Sequence, residues 1–156
     1  HEFYEGIENV VGLLEKTNVR ILRNRAERFM GMRIIGVDYS RDKGFLEKTL
    51  SSMELHESEP KLLLYHVPVK AETLHRLGID AHLAGHTHRG QIFPYMLADY
   101  LAYAYVWGLH NYEDSWIYVS AGSGTWGPPM RLGTKSEIAL VRLGKPGSGA
   151  PGVTPR

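Results

Sequence analysis

Residues 61–88 have the sequence KLLLYHVPVKAETLHRLGIDAHLAGHTH, and this stretch decides the fold. Its apolar run Lys61–His66 lies between two prolines, which is typical of a short buried strand. We predict a helix over Ala71–Leu77, ended by Gly78. A second strand is predicted over Ile79–Ala84. This strand–helix–strand unit predicts an α/β fold.

One histidine ends the first of these strands, and two more follow the second. His86 and His88 are separated by one residue, so they face the same side of an extended segment but opposite sides of a helix. Gly85 and Gly90 flank the pair and disfavour a helix. Ligands bind beyond the carboxyl ends of strands in open α/β sheets, and imidazole is a common ligand for zinc, manganese and iron. We therefore predict that His66, His86 and His88 meet at a metal site.

The rest of the chain predicts further elements by its periodicity and turn residues. Helices are predicted over Gly6–Lys16, over Lys43–Met53 with Asp42 as the cap, and in the aromatic segment Tyr95–Trp107, which we expect to pack over the sheet. Strands are predicted over Val19–Leu22, Glu27–Val37, Trp116–Ser120 and Ile138–Leu143, with a hairpin break at Arg23-Asn24-Arg25. Proline, glycine and serine dominate residues 144–156, which predicts a disordered tail.

Length and composition exclude several classes of function. A chain of 156 residues is expected to form one domain, and its net charge of +1 gives no electrostatic footprint for a nucleic-acid partner. The absence of cysteine excludes disulfides, thiolate zinc sites and cysteine nucleophiles. The segment Tyr95–Trp107 is too short to span a membrane, since a spanning helix needs ~20 apolar residues.

Several motifs occur in the order found in one enzyme family. They are His1-Glu2, His66-Val67-Pro68, Gly85-His86-Thr87-His88, the following Arg89-Gly90-Gln91-Ile92-Phe93-Pro94, and Tyr118-Val119-Ser120-Ala121-Gly122-Ser123-Gly124-Thr125-Trp126. Together they resemble the C-terminal half of a calcineurin-like metallophosphoesterase. The nearest resemblance is to a bacterial branch that contains many membrane-anchored phosphodiesterases and phosphatases. The resemblance runs over residues 1–143 and implies part of a two-sheet α-β-β-α sandwich.

The resemblance also implies roles for individual histidines. His66 and His86 would hold one metal ion and His88 the other. His1 matches a catalytic histidine that contacts the substrate phosphate and protonates the leaving oxygen. In the intact parent protein we expect two divalent ions, manganese, zinc or iron, which together clamp a phosphoryl group.

Two further residues are candidates for substrate binding. Arg89 follows the histidine pair, and its guanidinium fork suits phosphate oxygens, although a solvent-facing arginine is the alternative. His110 follows the aromatic segment, where a plain loop role is the alternative. Asp80-Ala81-His82 has the spacing of a metal-binding motif. It lies at the start of the strand that leads to His86, so we predict a structural role.

The chain also departs from the family pattern. The Asp-x-His, Gly-Asp-x-x-Asp and Gly-Asn motifs of the family, which include the carboxylate that bridges the metals, would all precede His1. We therefore expect the chain alone to bind one metal or none, to be inactive, and to depend on the missing N-terminal half of the domain. The expected substrate of the parent is a phosphorylated small molecule or lipid, hydrolysed as a monoester or a diester.

The sequence leaves an alternative function and the compartment open. The alternative is a non-catalytic metal-binding or interaction module on the same scaffold. The resemblance allows a membrane-anchored parent, whose anchor would precede His1.

Overall fold

The computed structural model describes residues 6–144 and 152–155, and it has the α/β class that the sequence predicts. The helices in this part of the chain are α1 (Ile7–Leu14), α2 (Phe45–Ser51), α3 (Ala71–Arg76) and α4 (Met96–Ala102), with a 3₁₀ turn at His88–Gly90. The strands are β1 (Arg25–Phe29), β2 (Met32–Gly36), β3 (Lys61–Leu64), β4 (Ala81–Ala84), β5 (Gly108–Tyr112), β6 (Ser115–Val119), β7 (Ala139–Arg142) and β8 (Gly152–Pro155).

Six of these strands form one mixed sheet in the order β1-β2-β3-β4-β6-β5. The four central strands β2, β3, β4 and β6 are parallel to one another. The two edge strands are antiparallel to their neighbours. As a result, four consecutive carboxyl ends lie along one edge of the sheet.

The hydrophobic core lies between the central strands and two helices. Its fully buried members, at 0–1 % exposure, are Ile35, Leu63, Ala71, Leu74, Ile79, Ile117 and Val119. Helix α2 adds Leu46 and Leu50, which are four residues apart and therefore share one face. Each such side chain contributes about 1.5–3 kcal/mol when it leaves water.

The first hairpin differs from the sequence prediction. Val19–Leu22 is not a strand, and the turn lies at Met30-Gly31, between β1 and β2. Both turn residues have left-handed φ angles, 49° and 81°, which suits a two-residue hairpin loop. Asn24, which the sequence placed in the turn, instead accepts a hydrogen bond from Asp38 N through its side chain at 3.0 Å.

The aromatic segment also differs from the prediction. Helix α4 covers only Met96–Ala102 of the predicted Tyr95–Trp107 and has no buried residue, so it does not pack into the core over the sheet. Leu101 is 91 % exposed. The helix ends because the chain becomes extended at Tyr103 and then forms edge strand β5 against β6.

The predicted last strand is present as β7, which pairs with β8 in a separate two-stranded sheet. Strand β8, Gly152–Pro155, lies within residues 144–156, the segment that the sequence predicts to be disordered. These residues include the β-branched pair Val153 and Thr154, which favours a strand. No described helix is both long and apolar enough to cross a lipid bilayer.

Candidate metal and phosphate site

Four loops begin where the parallel strands end. Tyr39 lies in the loop after β2, His66 in the loop after β3 and His86 in the loop after β4. Residues 120–124 follow β6. The hydrogen bonding between β3 and β4 continues into the two loops that follow them, since Gly85 N donates to His66 O at 3.0 Å. The predicted site residues that follow β3 and β4 therefore lie at the edge where open α/β sheets bind ligands.

The structure brings together two of the three predicted metal-binding histidines. The ring centroids of His66 and His86 are 5.0 Å apart, and the rings are nearly perpendicular, at 87°. The ring of Tyr39 lies beside both, at 6.5 Å from His66 and 6.4 Å from His86. His66 is exposed and His86 is half-buried. The pair is thus close enough to share one ligand and is open to solvent.

Tyr103 fixes the other side of the His86 ring. The hydroxyl of Tyr103 is hydrogen-bonded to His86 Nε2 at 2.7 Å. Burial lowers the pKa of His86, and the nearby carboxylate of Asp99 opposes only part of this effect. A neutral ring that donates its Nε2 proton to Tyr103 keeps a free lone pair on Nδ1, which is the state that a metal ligand needs. The sequence analysis missed Tyr103 because it assigned the aromatic segment to packing.

The loop after β4 has an unusual backbone. The φ angle is positive at His86 (71°), His88 (50°), Arg89 (54°), Gly90 (73°) and Gln91 (23°). Such angles are uncommon for residues with a side chain and cost on the order of 1–3 kcal/mol each, so they persist only where surrounding contacts impose them. Because strain of this kind clusters at ligand sites, the backbone independently indicates a functional loop.

Arg131 supplies part of the contacts that hold this loop. Its Nη1 donates to His88 O at 2.9 Å, and its Nη2 donates to Ala121 O at 2.7 Å, Gly122 O at 3.2 Å and Gly124 O at 2.6 Å. We call the loop after β4, residues 85–91, the histidine loop. One guanidinium therefore joins the histidine loop to the loop after β6. Burial lowers the pKa of His88, and the charge of Arg131 lowers it further. Contacts to backbone carbonyls leave no sequence motif, and Arg131 was therefore missed.

Gln91 joins the same two loops from the other side. Its buried side chain donates through Nε2 to Trp126 O and accepts through Oε1 from Trp126 N, both at 2.6 Å. The backbone carbonyl of Gln91 accepts from Leu132 N at 2.9 Å. Thr87 is also buried, and its hydroxyl donates to Val106 O at 2.6 Å. The side chains of Thr87 and Gln91 therefore connect the histidine loop to the segments at Val106 and Trp126.

Arg89 lies over an aromatic ring. Its guanidinium carbon is 3.7 Å from the centroid of the Trp107 ring, which is a close cation–π contact. Trp107 Nε1 donates to Glu137 Oε2 at 2.7 Å, and Glu137 also accepts from the hydroxyl of Tyr118 at 2.6 Å. Burial raises the pKa of Glu137, but its hydrogen bonds outweigh burial and hold the pKa below its usual value. The carboxylate therefore remains charged. Its hydrogen bond holds the indole of Trp107, over which Arg89 lies.

One predicted site residue, His110, lies apart from the histidine pair. His110 lies in β5, where its ring stacks on Tyr105 at 4.4 Å and its Nε2 is hydrogen-bonded to Trp107 O at 2.9 Å. No described contact joins His110 to the strand-end histidines, because its segment pairs as an edge strand. His1, the predicted catalytic residue, lies outside the described residues.

Asp80 and His82 have structural contacts, in agreement with their predicted role. Asp80 Oδ2 accepts from Lys61 N at 2.7 Å, which ties the starts of β3 and β4 together. His82 is 1 % exposed, and its Nε2 is hydrogen-bonded to Tyr65 O at 3.0 Å. Burial lowers the pKa of His82 to about 4.

The described residues fit only part of a metal site. Among them, no group of three or more histidine, aspartate or glutamate side chains is arranged to hold an ion. His66 and His86 provide two neighbouring imidazoles, and the lowered pKa of His88 keeps a third imidazole neutral in the same loop. Neutral imidazoles suit zinc, manganese or iron, but carboxylates are needed to neutralise two divalent ions. The donor chemistry therefore fits an incomplete transition-metal site.

Comparison with known proteins identifies related chains. The chain is 40% identical over 151 residues to an uncharacterized metallophosphoesterase of Helicobacter pylori, covering 92% of this chain and 40% of the relative. It is 34% identical to a transmembrane protein with metallophosphoesterase domain from Bos taurus, covering 92% of this chain and 37% of the relative. An uncharacterized metallophosphoesterase of Aquifex aeolicus is 32% identical, with 92% and 58% covered. No family model and no solved structure matches the chain.

The chain spans less than two thirds of the length of these relatives. Their names agree with the resemblance seen in the histidine motifs, and the mixed six-stranded sheet has the class expected of that fold. The chain belongs to the calcineurin-like metallophosphoesterase family.

Proposed function

We propose that this chain carries the histidine-bearing part of a metal-dependent phosphoesterase site, which hydrolyses phosphomonoesters or phosphodiesters. The proposal depends on one observation, the 5.0 Å separation of the His66 and His86 rings at the carboxyl edge of the sheet. The names of the relatives support the reaction class. The substrate we propose is a phosphorylated small molecule or lipid.

His66 and His86 would hold one divalent ion, and His88 would hold a second. The chemistry that a bound ion pair supplies is polarisation of the phosphoryl group and stabilisation of its developing negative charge. The remaining ligands, carboxylates among them, would come from segments outside this chain. His1 remains the residue proposed to protonate the leaving oxygen.

Other residues of the chain would prepare the site for a phosphate. Arg89 is held on Trp107, and its guanidinium presents several N–H donors in a fixed plane, which suits phosphate oxygens. Tyr103 holds the His86 ring in one orientation. Arg131 holds the backbone of His88 and brings a positive charge to the same loop. Orientation and charge are therefore in place before a ligand binds.

A non-catalytic module on the same scaffold is the second candidate. The observation in its favour is that no described group of three ligands is arranged to hold a metal. A scaffold of this kind would keep the fold and bind one ion or none.

Turnover and metal content together distinguish the two candidates. The natural protein that contains this chain should hydrolyse bis(p-nitrophenyl) phosphate or p-nitrophenyl phosphate with added Mn²⁺, and a chelator should abolish the activity. His86→Ala should reduce turnover at least about a hundredfold, since loss of a group that only orients a ligand already costs 10–100-fold. His56→Ala, at an exposed position, is the matched control.

Two bound ions and a chelator-sensitive rate would support the phosphoesterase. Absence of turnover of both esters, with one ion or none bound, would support the non-catalytic scaffold. Normal turnover by His86→Ala would remove His86 from the proposed metal shell.

A further inference from the structure

A cavity of about 480 Å³ has His86 in its wall. It is lined by the loop after β2, by the segment after β3, and by Tyr103 and His86 themselves. Pockets for small ligands have volumes of about 300–1,000 Å³, so this cavity is large enough for part of a substrate. Because His86 forms part of its wall, a phosphate held at the histidine pair would have its substituent within reach of the cavity.

Two cations line this cavity without a carboxylate partner. Arg41 and Lys43 are both in the lining, and neither forms an ion pair with any described acidic side chain. The described ion pairs of the chain involve six other arginines, which are Arg20, Arg23, Arg25, Arg28, Arg33 and Arg76. Arg41 and Lys43 are thus distinguished by their location in the cavity and by their free charge.

The acidic groups of the lining already have partners. Asp42 accepts a hydrogen bond from Gly44 N at 3.0 Å, and Glu47 forms an ion pair with Arg76 at 2.6 Å. Arg76 therefore neutralises Glu47, and the two cations Arg41 and Lys43 outnumber Asp42, the remaining carboxylate of the lining. The walls also include three tyrosines, Tyr39, Tyr65 and Tyr103, whose hydroxyl groups can donate hydrogen bonds to oxygen acceptors.

We propose that this cavity binds a second phosphate of the substrate, so that the preferred substrates are phosphoesters that carry another phosphate group near the one hydrolysed. The proposal rests on the proposed function for the identity of the reacting phosphate, but the binding of the second phosphate can be measured separately. Arg41 and Lys43 are its contacts. A neutral or cationic substituent would gain nothing from either residue.

A binding experiment tests the cavity without catalysis. In the natural protein that contains this chain, thymidine 3′,5′-bisphosphate should bind at least about fivefold more tightly than thymidine 5′-monophosphate, the gain expected from a partly exposed charge pair. Fructose 1,6-bisphosphate, which has two phosphates and no base, is the second probe. Binding as tight as that of the nucleotide bisphosphate supports the proposal, and binding as weak as that of the monophosphate contradicts it.

Charge-removing variants locate the effect. The preference for the bisphosphate should disappear in Arg41→Gln/Lys43→Gln and remain in Lys48→Gln, an exposed lysine of α2 outside the cavity. A preference that survives in Arg41→Gln/Lys43→Gln would overturn the proposal. Circular dichroism of both variants shows whether the fold is retained.

A turnover experiment separates this proposal from the proposed function. Thymidine 5′-(p-nitrophenyl phosphate) and its 3′-phosphorylated form differ only by the second phosphate. A KM about fivefold lower for the 3′-phosphorylated ester, lost in Arg41→Gln/Lys43→Gln, supports the proposal. Equal KM values with normal turnover contradict the cavity and leave the phosphoesterase intact. Absence of turnover with a retained bisphosphate preference in binding contradicts the phosphoesterase and supports the cavity.

Discussion

At the scale of single residues, the environment of His86 determines which ring nitrogen can bind a ligand. In the tautomer whose Nε2–H donates to the Tyr103 hydroxyl, the lone pair that a metal can use is on Nδ1. We expect Tyr103→Phe to lower the affinity for Zn²⁺ or Mn²⁺ by about 10–100-fold, because groups that orient a metal-binding histidine have effects of that size. Metal titration by equilibrium dialysis measures the change.

Tyr100 on the same helix is 57 % exposed, and Tyr100→Phe is therefore a suitable control. The control should bind metal as the unaltered protein does. Equal affinities in Tyr103→Phe and Tyr100→Phe would show that the Tyr103 hydroxyl does not orient His86.

His82 differs from His86 in that it is fully buried in the sheet, and it makes stability depend on pH. Its pKa is about 4 in the folded protein and ≈ 6.5 in an unfolded chain. Between these values the unfolded chain binds a proton that the folded protein does not, so the free energy of unfolding falls as the pH falls through this window. The loss is on the order of 3 kcal/mol and is complete below about pH 4.

Urea unfolding between about pH 7 and pH 4 measures this loss. His82→Gln should show a weaker pH dependence, while His56→Gln, at an exposed position, should keep that of the unaltered protein. The lowered pKa values of His86 and His88 act in the same direction and remain in both variants. An unchanged pH dependence in His82→Gln would contradict the assignment.

The candidate site could be predicted only where spacing carries the information. The single residue between His86 and His88 and the position of His66 after an apolar run are visible in the sequence, and His66 and His86 do lie together. Tyr103 and Arg131 could not be predicted in this way. Their contacts join segments that are distant in the sequence, and those of Arg131 involve only backbone carbonyls.

At the scale of elements, the histidine loop depends on the loop after β6. Five of residues 86–91 have positive φ angles, and the Arg131 side chain hydrogen-bonds to carbonyls of both loops. Gly90 lies in the middle, and a β-carbon there would overlap with the backbone and Cβ of Met96. The histidine loop and helix α4 can therefore pack this closely only with glycine at position 90. This packing places Tyr103, at the end of the helix, beside His86.

Arg131→Met tests this connection between the loops. We expect the free energy of unfolding to fall by about 2–3 kcal/mol, because hydrogen bonds from a charged donor contribute more than neutral ones. The carbonyls of Ala121 and Gly124 lose the donor described for them, while those of His88 and Gly122 keep a backbone donor. Amide hydrogen exchange should become faster over residues 86–91 and 121–124. Arg142→Met, at an exposed position in β7, is the control and should change neither quantity. Unchanged exchange in Arg131→Met would mean that Gln91 alone joins the loops.

The elements themselves were predictable to different degrees. Strands β3, β4 and β6 and helix α3 were predicted because their apolar runs end at proline or glycine. Strand β5 was missed, since its residues alternate weakly and pair only at the sheet edge. The turn at Met30-Gly31 was missed because Asn24 offered a competing turn signal.

At the scale of the whole molecule, the parallel centre of the sheet determines where chemistry can occur. Four strands deliver their loops to one edge, and the histidine pair, the cavity residues Tyr39 and Tyr65, and the loop bound by Arg131 all follow these strands. The pKa values of His86 and His88 in these loops are lowered, and no described carboxylate group completes a three-ligand site with the strand-end histidines. The electrostatic balance of any bound metal therefore depends on whether further carboxylates reach these imidazoles.

This balance predicts how many ions the chain alone can bind. Two divalent cations ~4 Å apart repel each other by about 16 kcal/mol at an effective dielectric constant of 20, and neutral imidazoles do not offset that repulsion. We expect this 156-residue chain to bind at most one Zn²⁺ or Mn²⁺, and His86→Ala to weaken that binding. Equilibrium dialysis followed by metal analysis gives the ratio. Two ions bound per chain, or robust turnover of bis(p-nitrophenyl) phosphate by the chain alone, would show that its own residues neutralise a metal pair and that no further carboxylates are needed.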